Sequence, residues 1–166
     1  MIIVEDGTGK NDANSYASIA DFKQYVDSRG LSVATDDASA TAALLRAADY
    51  LEYGVNGEYV GRKINNAQAL QWPREDYNPK TGVIESIGVP SQLKQAQLLV
   101  AYNYANGIDV MPTVEATDYM TEETVGPITT KYSDSSSISR TPVISGLDNL
   151  LGSLITGYGS LSCIRV

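Results

Sequence analysis

Apolar residues recur at helical spacing in four stretches of this chain. In the first, Ile19, Phe22 and Val26 fall on one face. Ser18-Ile19-Ala20-Asp21 has the form of a capping box in front of that face, and Gly30 supplies the stop. The second opens at Thr35-Asp36-Asp37 and repeats through Ala40, Leu44, Ala47, Ala48 and Leu51 to Gly54. Its small residues let a neighbouring helix approach closely, while Arg46 and Asp49 belong to a solvated face. The third starts at Pro90, a residue suited to a first helical turn because its missing N–H would be unpaired there. Leu93, Ala96, Leu99, Val100 and Tyr104, widened by Leu98, Ala101 and Tyr102, make this segment apolar on most sides, so it is expected at the centre of the fold. The fourth is a short stripe, Leu147, Leu150, Leu151 and Leu154, with Ser145 and Asp148 spaced as a capping pair.

Between these stretches the pattern breaks. Residues 54–88 are punctuated by Gly54, Gly57, Gly61, Pro73, Pro79, Gly82 and Gly88, and only Asn65 to Trp72 reads as helical. Trp72, the one tryptophan, is expected to anchor this long loop in the core, where its N–H needs a partner. After Met111-Pro112, Tyr119–Val125 and Ile128–Tyr132 flank Gly126-Pro127 and predict a β-hairpin or extended arm. Residues 133–137 are a Ser-rich linker, and the tail from Gly157 alternates apolar and polar positions. Such a tail would return to the body as an edge strand or reach another chain. The expected fold is mainly α: a small helical bundle core over residues 1–112, a β-hairpin arm with linker over 113–140, and a C-terminal helix with an extended docking tail over 141–166.

Composition narrows the chemistry. Twelve basic against 20 acidic residues give a net charge of −8, which argues against a surface devoted to phosphate. Eleven tyrosines beside a charged fraction of 19% suggest surface meant to be covered by protein. With no histidine, the commonest general base and metal ligand is missing, and Cys163 alone can form neither an internal disulfide nor a cysteine metal site. Gly7, Gly9 and Lys10 lack the spacing of a phosphate loop and are read as a turn. Asp36-Asp37 suits a helix start, and Glu122-Glu123 would point to opposite faces of a strand. The expectation is no catalysis, no cofactor and no metal. No apolar run is long enough to span a membrane.

The run Gly61-Arg62-Lys63 … Gln68-Ala69-Leu70-Gln71-Trp72-Pro73-Arg74, then Val89-Pro90-Ser91-Gln92-Leu93-Lys94-Gln95-Ala96, resembles a family of small tailed-phage proteins. The opening Val4-Glu5-Asp6-Gly7-Thr8-Gly9 … Ala13-Asn14-Ser15-Tyr16 belongs to the same resemblance. That family is often labelled DnaT-like single-stranded DNA-binding, although its members resemble head–tail connector (adaptor) proteins by genome position and structure. The resemblance implies a virion neck component: a homo-oligomeric ring, a dodecamer, below the portal protein and above a downstream neck or tail protein. Genomic DNA would pass through its lumen without specific binding. Tyr119, Val125, Ile128 and Tyr132 of the hairpin and Tyr158, Leu161, Ile164 and Val166 of the tail are the expected partner contacts. Arg62, Lys63 and Arg74 form a possible basic contact, to an acidic partner surface or, with Trp72 and Tyr77, to DNA. Single-stranded DNA binding is the alternative function, and a host-directed interaction protein a third.

Overall fold

The computed structural model describes residues 1–55, 58–78, 80, 82–112, 122–125, 128–131 and 143–156, with the backbone alone at Tyr77 and between 122 and 131. Three helices form the centre: α1 (Ile19–Ser28), α2 (Asp37–Asp49) and α3 (Ser91–Ala105). The Ser18 capping box is formed in full, with the Asp21 amide donating to Ser18 Oγ at 3.1 Å and the Ser18 amide donating to Asp21 Oδ2 at 2.8 Å. Asp36 caps α2 through the amides of Ala38 and Ser39. Phe22 and Val26 of α1, the Ala40/Ala43/Leu44/Ala47 face of α2 and Leu93, Ala96, Val100 and Ala101 of α3 meet in one apolar core. A π-helical turn, Tyr50–Gly54, extends α2 and buries Leu51.

The C-terminal stripe closes this core. Helix α4 (Leu147–Leu151) packs on α3 with Leu147, Leu151 and Leu154 buried. Its start differs from the expected Ser145/Asp148 pair: Gly146 occupies the cap position at φ +84°, and no side chain caps the helix. A residue with a Cβ is strained in that left-handed region, so the backbone sets this terminus. Beyond α4, β7 (Ile155–Thr156) pairs antiparallel with β1 (Glu58–Tyr59), tying the C-terminal end of the described chain to the segment that follows the π-helical turn.

The helical-bundle expectation is corrected by residues 58–87. Asn65 to Trp72 is not helical; around it runs an antiparallel sheet of β2 (Arg62–Lys63), β3 (Arg74–Asn78) and β4 (Val83–Ile87), in the order β2-β3-β4. With β5 (Glu122–Val125) pairing β6 (Ile128–Lys131), the chain is a mixed helix-and-sheet protein. The sheet escaped the pattern because β4 is almost wholly exposed, with Val83 and Ile84 more than half accessible, so no period-two burial marks it. The sheet is seated by Gly61, at φ +71°, where a Cβ would lie 2.3 Å from the Glu75 carbonyl oxygen.

Among the expected partner contacts, Val125 and Ile128 are Cα partners in the β5–β6 pairing. Tyr119, Tyr132, Tyr158, Leu161, Ile164 and Val166 lie outside the described residues, as does the Ser-rich linker. Among the described residues no helix is long and apolar enough to cross a membrane, and no three acidic, His or Cys groups gather as a metal site.

Candidate nucleic-acid interface

The N-terminal loop shows how this fold spends its polar groups. Glu5 is fully buried, and its carboxylate accepts the amides of Gly7 (2.9 Å), Gly9 (3.0 Å) and Lys10 (2.8 Å). A loop of converging amides is an anion cradle, and here the chain's own carboxylate fills it. The turn reading of Gly7–Lys10 therefore holds, and these amides cannot also face a phosphate.

Gln97 does the same at the core. It is fully buried on α3, where its Oε1 accepts the amides of Tyr16 (2.8 Å) and Ala17 (2.9 Å). Its Nε2 donates to Ser15 Oγ (2.8 Å) and to the Leu44 carbonyl (2.9 Å). One amide side chain thus pins the N-terminal arm to both α2 and α3. Nothing in the helical period of α3 singles it out, because a Gln at an apolar position reads only as a break in the stripe.

The basic contact of the loop resolves in the same way. Arg74 donates Nε to the Val60 carbonyl (2.7 Å) and Nη2 to the carbonyls of Gly61 (2.6 Å) and Tyr59 (3.2 Å). Its Nη1 reaches the Gln71 side-chain oxygen at 3.0 Å. Arg62 is ion-paired with Glu75 at 2.7 Å. Lys63 makes no ion pair among the described residues and stays half-buried. Trp72 is fully buried, edge-on to Tyr59 with ring centroids 5.9 Å apart, and its N–H has no hydrogen-bond partner among the described residues. The indole anchors the core as expected, but it offers no face to a base.

Behind Trp72 a carboxylate joins three segments. Glu52 accepts the Tyr16 hydroxyl and the Gln71 amide (2.9 Å to Oε2), and the Trp72 amide in turn donates to Tyr16 Oη at 3.2 Å. Burial pushes the Glu52 carboxyl above its ordinary range, although Tyr16, the Gln71 amide, Lys63 and Arg74 pull the other way. Burial, reinforced by the Glu52 charge, holds the Tyr16 phenol far above its usual value.

Unspent cations lie elsewhere. A groove of about 360 Å³ runs between α1 and α3, lined by Gln24, Tyr25, Ser28, Arg29, Lys94 and Gln95 among others. The Arg29 guanidinium lies over the Tyr25 ring at 3.9 Å from its centroid, and Arg29 is exposed. Lys94 makes no ion pair among the described residues, and Tyr102 is close enough to Tyr25 to act on its phenol. Burial raises the Tyr25 phenol despite the opposing Arg29 charge. The carboxylate of this wall, Asp21, is engaged by the Ser18 amide and hydroxyl, which lower it, and the Lys94 charge lowers it further from beyond ion-pair distance. Two cations beside half-buried tyrosines, with amide side chains between, can bind phosphate and stack on a ring. Sequence periodicity gave no hint of this groove, since Tyr25 and Arg29 are one helical turn apart but Lys94 joins them only in the fold.

All 166 residues match the family model described as "Putative DnaT-like ssDNA binding protein". The chain belongs to this family. No curated protein and no solved structure matches it. The description of the DnaT-like family names single-stranded DNA and no connector role. It overturns the reading of a head–tail connector, with its ring, its portal and neck partners and its lumen through which DNA slides unbound. The acidic net charge had favoured that reading, but a total charge says nothing of how cations are placed on one groove.

Proposed function

We propose that this protein binds single-stranded DNA through the groove between α1 and α3. The observation that carries the reading is the Arg29–Tyr25 stack facing Lys94 across that groove. Membership of the DnaT-like family supports the same ligand. Arg29 and Lys94 meet consecutive phosphates, while Tyr25, with Leu98 in the same groove, supplies the apolar surface against which an unpaired base stacks. Stacking of this kind contributes about 1–3 kcal/mol per base and tolerates any sequence. With two cations the electrostatic share is small, so binding is weak and best seen at low ionic strength.

A labelled oligonucleotide titrated at a series of salt concentrations tests this. Two phosphate contacts on a single strand predict a slope of log affinity against log salt of about −1.4. A duplex of the same sequence should bind more weakly, because its bases are already stacked. Absence of binding at low ionic strength would end the reading.

A further inference from the structure

We propose that the cavity between α2 and the C-terminal end of α3 is a base-selective subsite that takes nucleotides carrying an exocyclic amine. It is the larger of the two helical depressions, about 540 Å³, and its lining includes the apolar Ala42 and Ile108 together with Arg46, Tyr104 and Asp109. The polar groups here are unspent, unlike those of the Arg74 loop. Arg46 is exposed and forms no ion pair among the described residues, not even with Asp109 on the same wall. Asp109 uses Oδ1 to accept the Met111 amide at 3.1 Å, and its Oδ2 accepts nothing among the described residues. A cation, a carboxylate and a half-buried phenol ring that line one depression beside apolar side chains, with no ion pair between the two charges, describe a ligand with matching ends.

A nucleotide has those ends: a phosphate for Arg46, a flat ring for Tyr104 and Ile108, and a donor for Asp109. The carboxylate only accepts, so it favours the amine of cytosine. Thymine presents its one N–H between two carbonyl oxygens that the carboxylate repels. This subsite rests on the single-stranded DNA reading and adds base preference to it.

The test compares labelled dC12 and dT12 on the full chain, with Asp109→Asn and Arg46→Ala as variants, and adds dCMP to the labelled protein in an NMR titration. The expected result is that dC12 binds about fivefold or more tightly than dT12, and that Asp109→Asn removes the difference. Arg46→Ala should weaken both oligonucleotides, and dCMP should shift the Ala42, Arg46 and Asp109 amides. Equal binding of dC12 and dT12 by the unaltered protein overturns the subsite and leaves the α1–α3 groove standing. Amide shifts with dCMP but no binding of either oligonucleotide would support the subsite and overturn the DNA reading.

Discussion

Arg74 and Arg29 carry the same side chain into opposite fates. In the loop around Trp72, the guanidinium is turned inward and spent on the carbonyls of Tyr59, Val60 and Gly61. At the C-terminal cap of α1, the Arg29 guanidinium lies over the Tyr25 ring and faces solvent, with one long contact to Ser28 Oγ at 3.5 Å. The loop has no ladder for many of its carbonyls, so a fork of donors is used to collect them. The helix satisfies its own backbone and leaves its side chains free for a ligand. A basic residue therefore counts toward recognition only where the backbone around it has no claim on it.

Four experiments would break or sharpen that contrast. Gln97→Leu removes the most: it takes the acceptor from the buried Tyr16 amide, leaves the Ala17 amide only the Ser15 hydroxyl at 3.3 Å, and removes the side-chain donors to Ser15 Oγ and the Leu44 carbonyl. A loss of about 3–5 kcal/mol in urea unfolding is expected, and an unchanged midpoint would show that the arm is not pinned by this residue. Arg74→Lys should cost about 2–3 kcal/mol, because an ammonium group cannot reach three separated carbonyls. Its DNA affinity, measured on folded protein, should stay within twofold of the original. A large loss of affinity with intact stability would return the loop to the binding surface.

The double variant Arg29→Ala/Lys94→Ala should do the reverse. Both side chains are outside the core, so stability should stay within about 0.5 kcal/mol, while oligonucleotide affinity falls about tenfold or more and the salt slope becomes shallower by about 1.4. The smallest effect is that of Glu52→Gln. A carboxyl raised in the folded state binds its proton more firmly there than in the unfolded chain. Its contribution to stability is present below the ordinary carboxylate range and is lost as pH rises through the raised folded value. Urea midpoints of the original protein should therefore decline relative to Glu52→Gln as pH increases through the mildly acidic range. The lowered carboxyls of Asp21 and Asp36 run the other way, their stabilisation being present above the ordinary range and lost on acidification. Both proteins share them, so the difference isolates Glu52. Parallel pH profiles would mean that this carboxyl is not perturbed.

The helices were legible because each carries its own instructions. Ser18 and Asp21 form a capping box within four residues, and Asp36 caps α2 through amides two and three positions on. The Ala40–Leu51 stripe and the Leu93–Ala101 face declare which side is buried. Trp72 could be placed in the core for the same reason, being the largest apolar group in its segment. Of the candidate site, only the residue types were legible: Tyr25, Arg29 and Lys94 carry no shared period or motif.

Sequence alone thus determined where helices start, stop and bury their faces, since capping and amphipathic spacing act over a few residues. Tertiary structure alone decided the β2-β3-β4 sheet, whose exposed β4 has no alternation of buried and exposed positions to read. It also decided the role of Gln97, whose partners lie 53 to 82 positions away, and the gathering of Tyr25, Arg29 and Lys94 in one groove. The physical reason is that a polar side chain is defined by what it meets. Those meetings are fixed only when distant segments have packed.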